Sequence, residues 1–120
     1  MPPSLWTAIG ACNGFLAVAA GAFGAHALKS RLSPEQISVF ETAARYQMFH
    51  GLGLLAAGIL CRGPWLTWVA TAFSLGIILF SGSLYALSLS GIRLLGVITP
   101  LGGVSFLVGW GLLAWSQFKS

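Results

Sequence analysis

Apolar residues run along this chain in four long stretches separated by short polar joints. The first covers residues 5–28 without a charge, and the second is uncharged from Tyr46 to Cys61 with Arg45 at its edge. The third covers 65–89 and the fourth 94–118. Each approaches the ~20 residues that cross about 30 Å of hydrocarbon at 1.5 Å rise per residue. Arg62-Gly63-Pro64 and Ser90-Gly91-Ile92-Arg93 read as tight turns between runs. Such runs are too long for barrel strands, and backbone at membrane depth must satisfy its own hydrogen bonds. The pattern predicts an all-α membrane protein: one transmembrane domain over 1–120 with helices at about 5–28, 34–61, 65–89 and 94–118 in an up-down bundle.

The longest joint, residues 29–44, adds an element. Ser33-Pro34-Glu35-Gln36 has an N-cap, a proline at the first helical position and a capping-box glutamine. Ile37, Phe40, Ala44 and Met48 follow at helical spacing. Helix two is therefore expected to begin as an amphipathic extension, either continuous with the span or lying flat and bending near Arg45. Ala25-His26-Ala27 looks like a cleavage site, but no basic residue leads the apolar run, so helix one is read as uncleaved.

Composition narrows the class. The chain is 57% hydrophobic and 7% charged, against about 25% charged in soluble domains. That excludes a water-soluble enzyme, a disordered tail and a nucleic-acid module. The net charge of +4 is a topology signal. Lys29, Arg31, Arg45 and Arg93 flank the first and third joints, while Arg62 and Lys119 lie on the opposite side. This balance puts the first and third connections in the cytoplasm and both termini outside. Trp6, Trp65, Trp68, Trp110 and Trp115 are expected to form an aromatic belt on the termini side.

Two features suggest internal organisation. Gly51-Leu52-Gly53-Leu54-Leu55-Ala56 resembles Gly109-Trp110-Gly111-Leu112-Leu113-Ala114 at an offset of 58, consistent with a duplicated helical hairpin or with chance in so Gly-, Ala- and Leu-rich a chain. Gly10, Gly14 and Gly21 on helix one, and Ser105 and Gly109 on helix four, are candidate helix-packing positions, within one chain or between copies.

Polar groups gather towards one side: His26, Glu41, Arg45, Tyr46, Gln47, His50, Tyr85 and Arg93 form the candidate polar cluster. Glu41 with Arg45, and Tyr46 with His50, are spaced four apart and share helix faces. Ionisable groups at membrane depth point to a proton or solute path, or to a ligand or partner site. A structural clasp, with Arg45 snorkelling onto Glu41 and the histidine bonded to a neighbouring helix, is the plainer reading. Asn13 is expected to make an interhelical hydrogen bond, and Thr99-Pro100-Leu101-Gly102-Gly103 to kink helix four. Two histidines are too few for a metal site, Cys12 and Cys61 lack redox spacing, and no catalytic or cofactor-binding motif is present.

Four blocks carry a resemblance: Gly21-Ala22-Phe23-Gly24-Ala25-His26-Ala27-Leu28, the run Phe40-Glu41-Thr42-Ala43-Ala44-Arg45-Tyr46-Gln47-Met48-Phe49-His50-Gly51-Leu52, Phe80-Ser81-Gly82-Ser83-Leu84-Tyr85, and Ile98-Thr99-Pro100-Leu101-Gly102-Gly103. In this order they resemble the uncharacterised membrane proteins called domain of unknown function 423. The resemblance implies four helices in a bacterial inner membrane and brings no reaction or assigned site. The expected function is a non-enzymatic accessory or assembly protein in the lipid bilayer, as a homo-oligomer or within a larger membrane complex. The alternative is a small transporter or channel component for protons or a small solute. A membrane-embedded enzyme is a distant third.

Overall fold

The structure, a computed structural model, describes residues 1–119. It is all-helical, with four long helices: α1 (Pro3–Leu28), α2 (Pro34–Leu60), α3 (Pro64–Ser90) and α4 (Arg93–Lys119). Three of them, α1, α3 and α4, are long and apolar enough to cross a membrane. α2 matches them in length, but Glu35, Glu41, Arg45, Gln47 and His50 lower its hydropathy.

The joints follow local rules. Ser33 caps α2 through a full capping box: its hydroxyl accepts from the Gln36 amide at 3.2 Å, and its amide donates to Gln36 Oε1 at 2.9 Å. α2 then runs unbroken to Leu60, so the bend near Arg45 does not occur. Gly91 ends α3 in the left-handed region at φ 74°, which glycine adopts without a Cβ penalty. α4 opens with a 3-10 turn over Arg93–Val97 before its α-helix starts at Thr99. Pro100 thus occupies the first turn of the α-helix, where its missing amide costs nothing, and the break expected in helix four falls at the junction of the 3-10 turn with the α-helix.

α2 is the central helix. It packs along α1 on one side and α3 on the other, and α4 packs on α3. The apolar core lies towards the end holding the chain termini and joins Leu54, Ala57, Leu66, Val69, Phe73, Phe106 and Leu113. Trp6 belongs to this core, 9% exposed, and is not part of an interfacial belt. Lipid removes the hydrophobic drive between spans, so close approach has to come from small residues. A methyl group at Gly10 would lie 2.7 Å from the Gly51 carbonyl oxygen, and one at Gly51 3.0 Å from the Gly10 carbonyl oxygen. α1 and α2 therefore cross backbone to backbone at this point.

The two hairpins share unusual backbone. α1 and α3 each contain one π-helical stretch, Ala19–Gly24 and Ile77–Gly82. Their starts are 58 positions apart, the offset of the sequence repeat. Equivalent helices also pack alike: Gln47 reaches Asn13 on α1, and Ser105 reaches the Ala72 carbonyl on α3.

Candidate functional site

The helices divide the eight residues of the sequence cluster into two sets. Tyr46, Gln47, His50 and Tyr85 turn into the bundle; His26, Glu41, Arg45 and Arg93 are exposed. Among the described residues no ion pair forms, so Glu41 and Arg45 do not clasp each other despite their i, i+4 spacing. The inward set lies deeper than the polar side anticipated from spacing, because Gln47 is the middle residue of the 27-residue α2.

Two hydrogen-bonded groups are built there. In the first, the Tyr85 hydroxyl of α3 donates to Gln47 Oε1 at 2.7 Å. Gln47 Nε2 donates to Asn13 Oδ1 of α1 at 3.0 Å, and Asn13 Nδ2 donates back to its own helix at the Ile9 carbonyl, 2.9 Å. One amide, 7% exposed, thus ties three helices together with its oxygen and its nitrogen both engaged. Nearby, the buried Ser81 hydroxyl donates to the Ala43 carbonyl at 2.8 Å, fastening α3 to α2 again.

The second group centres on His50, 4% exposed. Its Nδ1 lies 2.7 Å from the Tyr46 carbonyl oxygen, and Trp110 Nε1 donates to its Nε2 at 2.9 Å. A carbonyl only accepts and an indole N–H only donates, so these partners specify the neutral tautomer with hydrogen on Nδ1. The ring is also sandwiched by aromatic neighbours. Phe106 stacks on it with centroids 3.5 Å apart and planes 7° from parallel, and Phe73 meets it edge-on at 5.5 Å. Both nitrogens and the Phe106-stacked face are occupied by the protein itself.

Sequence reasoning placed Trp110 in an aromatic belt; the structure makes it the donor that orients His50. No local signal links residues 60 apart, and the contact follows from α4 passing close to α2 at this level. Asn13 was legible as an interhelical bond, though its partner was not. The five packing candidates all face helices of the same chain. Gly10 meets Gly51, Gly14 faces Met48, Gly21 faces Ala44, Gly109 faces Phe73, and the Ser105 hydroxyl donates to the Ala72 carbonyl at 2.7 Å.

The outward residues line surface clefts. His26 is exposed near the end of α1. Arg93 and Glu35 border a cleft of about 410 Å³ between the ends of α2 and α3, where Gln36 Nε2 donates to the Ser88 carbonyl at 3.0 Å. Glu41 and Arg45 edge a groove of about 340 Å³ between α1 and α2. Among the described residues no group of three or more His, Cys, Asp or Glu side chains could hold a metal ion.

Comparison with known proteins places the chain among membrane proteins. Residues 20–103 match the family described as protein of unknown function (DUF423). The UPF0382 membrane protein SSP2132 of Staphylococcus saprophyticus is 51% identical over 113 residues, covering 92% of this chain and 94% of the relative. The UPF0382 inner membrane protein YgdD of Escherichia coli K12 is 43% identical over 106 residues, covering 86% of this chain and 81% of the relative. No solved structure matches.

Proposed function

This chain belongs to the DUF423 family of membrane proteins, and from that premise we propose that it is a non-enzymatic accessory or assembly protein of the bacterial plasma membrane. It acts through its helix surfaces, as a homo-oligomer or within a larger membrane complex. The observation that carries this reading is that Gln47 and His50 are fully engaged by the protein itself. Gln47 spends its amide on Tyr85 and Asn13, and His50 spends both nitrogens on Tyr46 and Trp110. A proton path or a catalytic centre needs a group with a free valence facing a substrate or water; here Gln47 closes on α1 and α3, and His50 on its own helix and on α4. Fully satisfied buried networks serve to specify a packing arrangement.

In this reading α2 is a fourth span. Gln47 and His50, at and near its middle, are buried by its neighbours, which is how a helix of modest hydropathy is held in a bilayer. The excess of Lys and Arg puts the α1–α2 and α3–α4 connections in the cytoplasm, with both termini outside.

The test is native mass spectrometry of the full chain released from lipid nanodiscs, as wild type and as His50→Ala. An oligomer or a co-purifying membrane protein complex that survives the substitution is the expected result. A monomer carrying a small molecule that His50→Ala loses would refute the accessory reading and turn the centre into a binding site.

A further inference from the structure

Comparing the two hairpins at their offset of 58 exposes a difference. In the second hairpin, Phe80 of α3 lies against Gly102 of α4, where a methyl group on the glycine would come within 2.7 Å of the Phe80 Cα. The Phe80 ring beside this contact packs on Tyr46 and Phe106, with centroids 4.6 and 5.4 Å away. The contact in the matching place of the first hairpin is Gly21 against Ala44, where a methyl on Gly21 would lie 3.4 Å from the Ala44 Cβ; neither has a side chain beyond Cβ, and a groove stands open there. Glu41 and Arg45 edge this groove, whereas the second hairpin has Thr99 and Gly103 at the matching positions. At Val18 and Met48 the groove meets a trough of about 540 Å³ walled by Phe15 and Phe23, within the ~300–1,000 Å³ of ordinary ligand pockets. One end is charged with both signs; the rest is apolar.

Arg45 sharpens the point. It lies two residues, about 3 Å of rise, from the middle of α2. It is exposed, and among the described residues it has no acidic partner. A cation on a lipid-facing surface at that depth is costly unless it snorkels or is neutralised. Snorkelling towards the α1–α2 connection brings the guanidinium level with Glu41, one turn nearer the membrane surface.

We propose that the groove between α1 and α2 binds one phospholipid with a phosphoethanolamine headgroup, its phosphate on Arg45, its ammonium on Glu41 and an acyl chain in the apolar trough. Charge complementarity selects this occupant: a guanidinium suits phosphate, and a carboxylate one turn away suits an amine. A headgroup without an amine would face the Glu41 carboxylate unfavourably. The site goes beyond the assembly reading, and its test reads lipid binding, whereas that reading is tested by oligomeric state.

The full chain in lipid-free detergent micelles is titrated with phosphatidylethanolamine, phosphatidylglycerol and free phosphoethanolamine, and bound species are counted by native mass spectrometry. One phosphatidylethanolamine per chain is expected, with phosphatidylglycerol about tenfold weaker and free phosphoethanolamine not retained. Arg45→Gln lowers phosphatidylethanolamine binding about tenfold or more. Glu41→Gln makes the two lipids equal. Ala22→Phe, which puts a large ring on the groove wall, excludes both, and Arg93→Gln at the other cleft changes nothing. Helical circular dichroism and melting confirm the fold of each variant; should Ala22→Phe not fold, the two charge variants carry the test. Equal retention of both lipids by wild type, or lipid binding indifferent to Arg45→Gln, would overturn the proposal. So would a concentration-dependent dimer that Arg45→Gln dissolves, which would assign the groove to a second copy.

Discussion

Replacing Gln47 with leucine keeps the side-chain volume close and removes both hydrogen bonds by which one amide joins α1, α2 and α3. Side chain to side chain bonds within membranes contribute about 0.6 kcal/mol on average and up to about 1.7. Two such bonds give about 1–3 kcal/mol, and the variant further leaves the Tyr85 hydroxyl and Asn13 Oδ1 without the acceptor or donor they face. Tyr85→Phe alone removes one bond and strands Gln47 Oε1, an expected cost of about 1 kcal/mol. The informative quantity is the coupling. Once Gln47 is leucine, the Tyr85 hydroxyl has no bond to lose, so Tyr85→Phe in that background is expected to be neutral or stabilising. The cycle should therefore be non-additive by about 0.5–1.5 kcal/mol. Reversible unfolding in mixed micelles of increasing SDS fraction, followed by tryptophan fluorescence, measures all four proteins. Additivity within error would refute the claim that Gln47 and Tyr85 stabilise the bundle through a direct bond.

Two further outcomes follow from the same contacts. Gly102→Ala forces a methyl against the Phe80 backbone and is expected to destabilise by about 1–3 kcal/mol; Gly111→Ala, where a methyl meets nothing within 4 Å, is expected to stay near wild type, and equal melting temperatures for the two would contradict the packing described. Trp110→Phe removes the only donor to His50 Nε2 among the described residues, so the Nε2 ¹⁵N chemical shift should move while Nδ1 keeps its proton on the Tyr46 carbonyl, whereas an unchanged Nε2 shift would show that Trp110 does not bond it.

Much of the backbone is legible in the order of residues because it depends on neighbours along the chain. Ser33 and Gln36 make their capping box within one turn, and Gly91 supplies a left-handed residue where α3 must end. Long uncharged runs specify α1, α3 and α4, since hydrocarbon length and helical rise leave few other solutions. Pro100 shows where local rules leave a choice: the same residue kinks a helix interior or opens a helix, and the preceding 3-10 turn decides for the opening.

The class of the molecule and the place of its helices follow from apolar run length and from caps and turns a few residues long, all of them local. Which polar residues meet is settled only when the helices pack. Helical spacing put Glu41 with Arg45 and Tyr46 with His50 on shared faces, but which face turned inward depended on the rotation of α2 against its neighbours. That rotation buried Gln47 and His50 and left Glu41 and Arg45 on the groove. Gly10 and Gly51 let α1 and α2 touch backbone to backbone, and this contact holds Asn13 at hydrogen-bonding distance from Gln47. The bond from Trp110 to His50 spans 60 residues and depends on how closely α4 approaches α2. Distances between helices are set by the summed fit of many side chains, and no short stretch of sequence contains that sum.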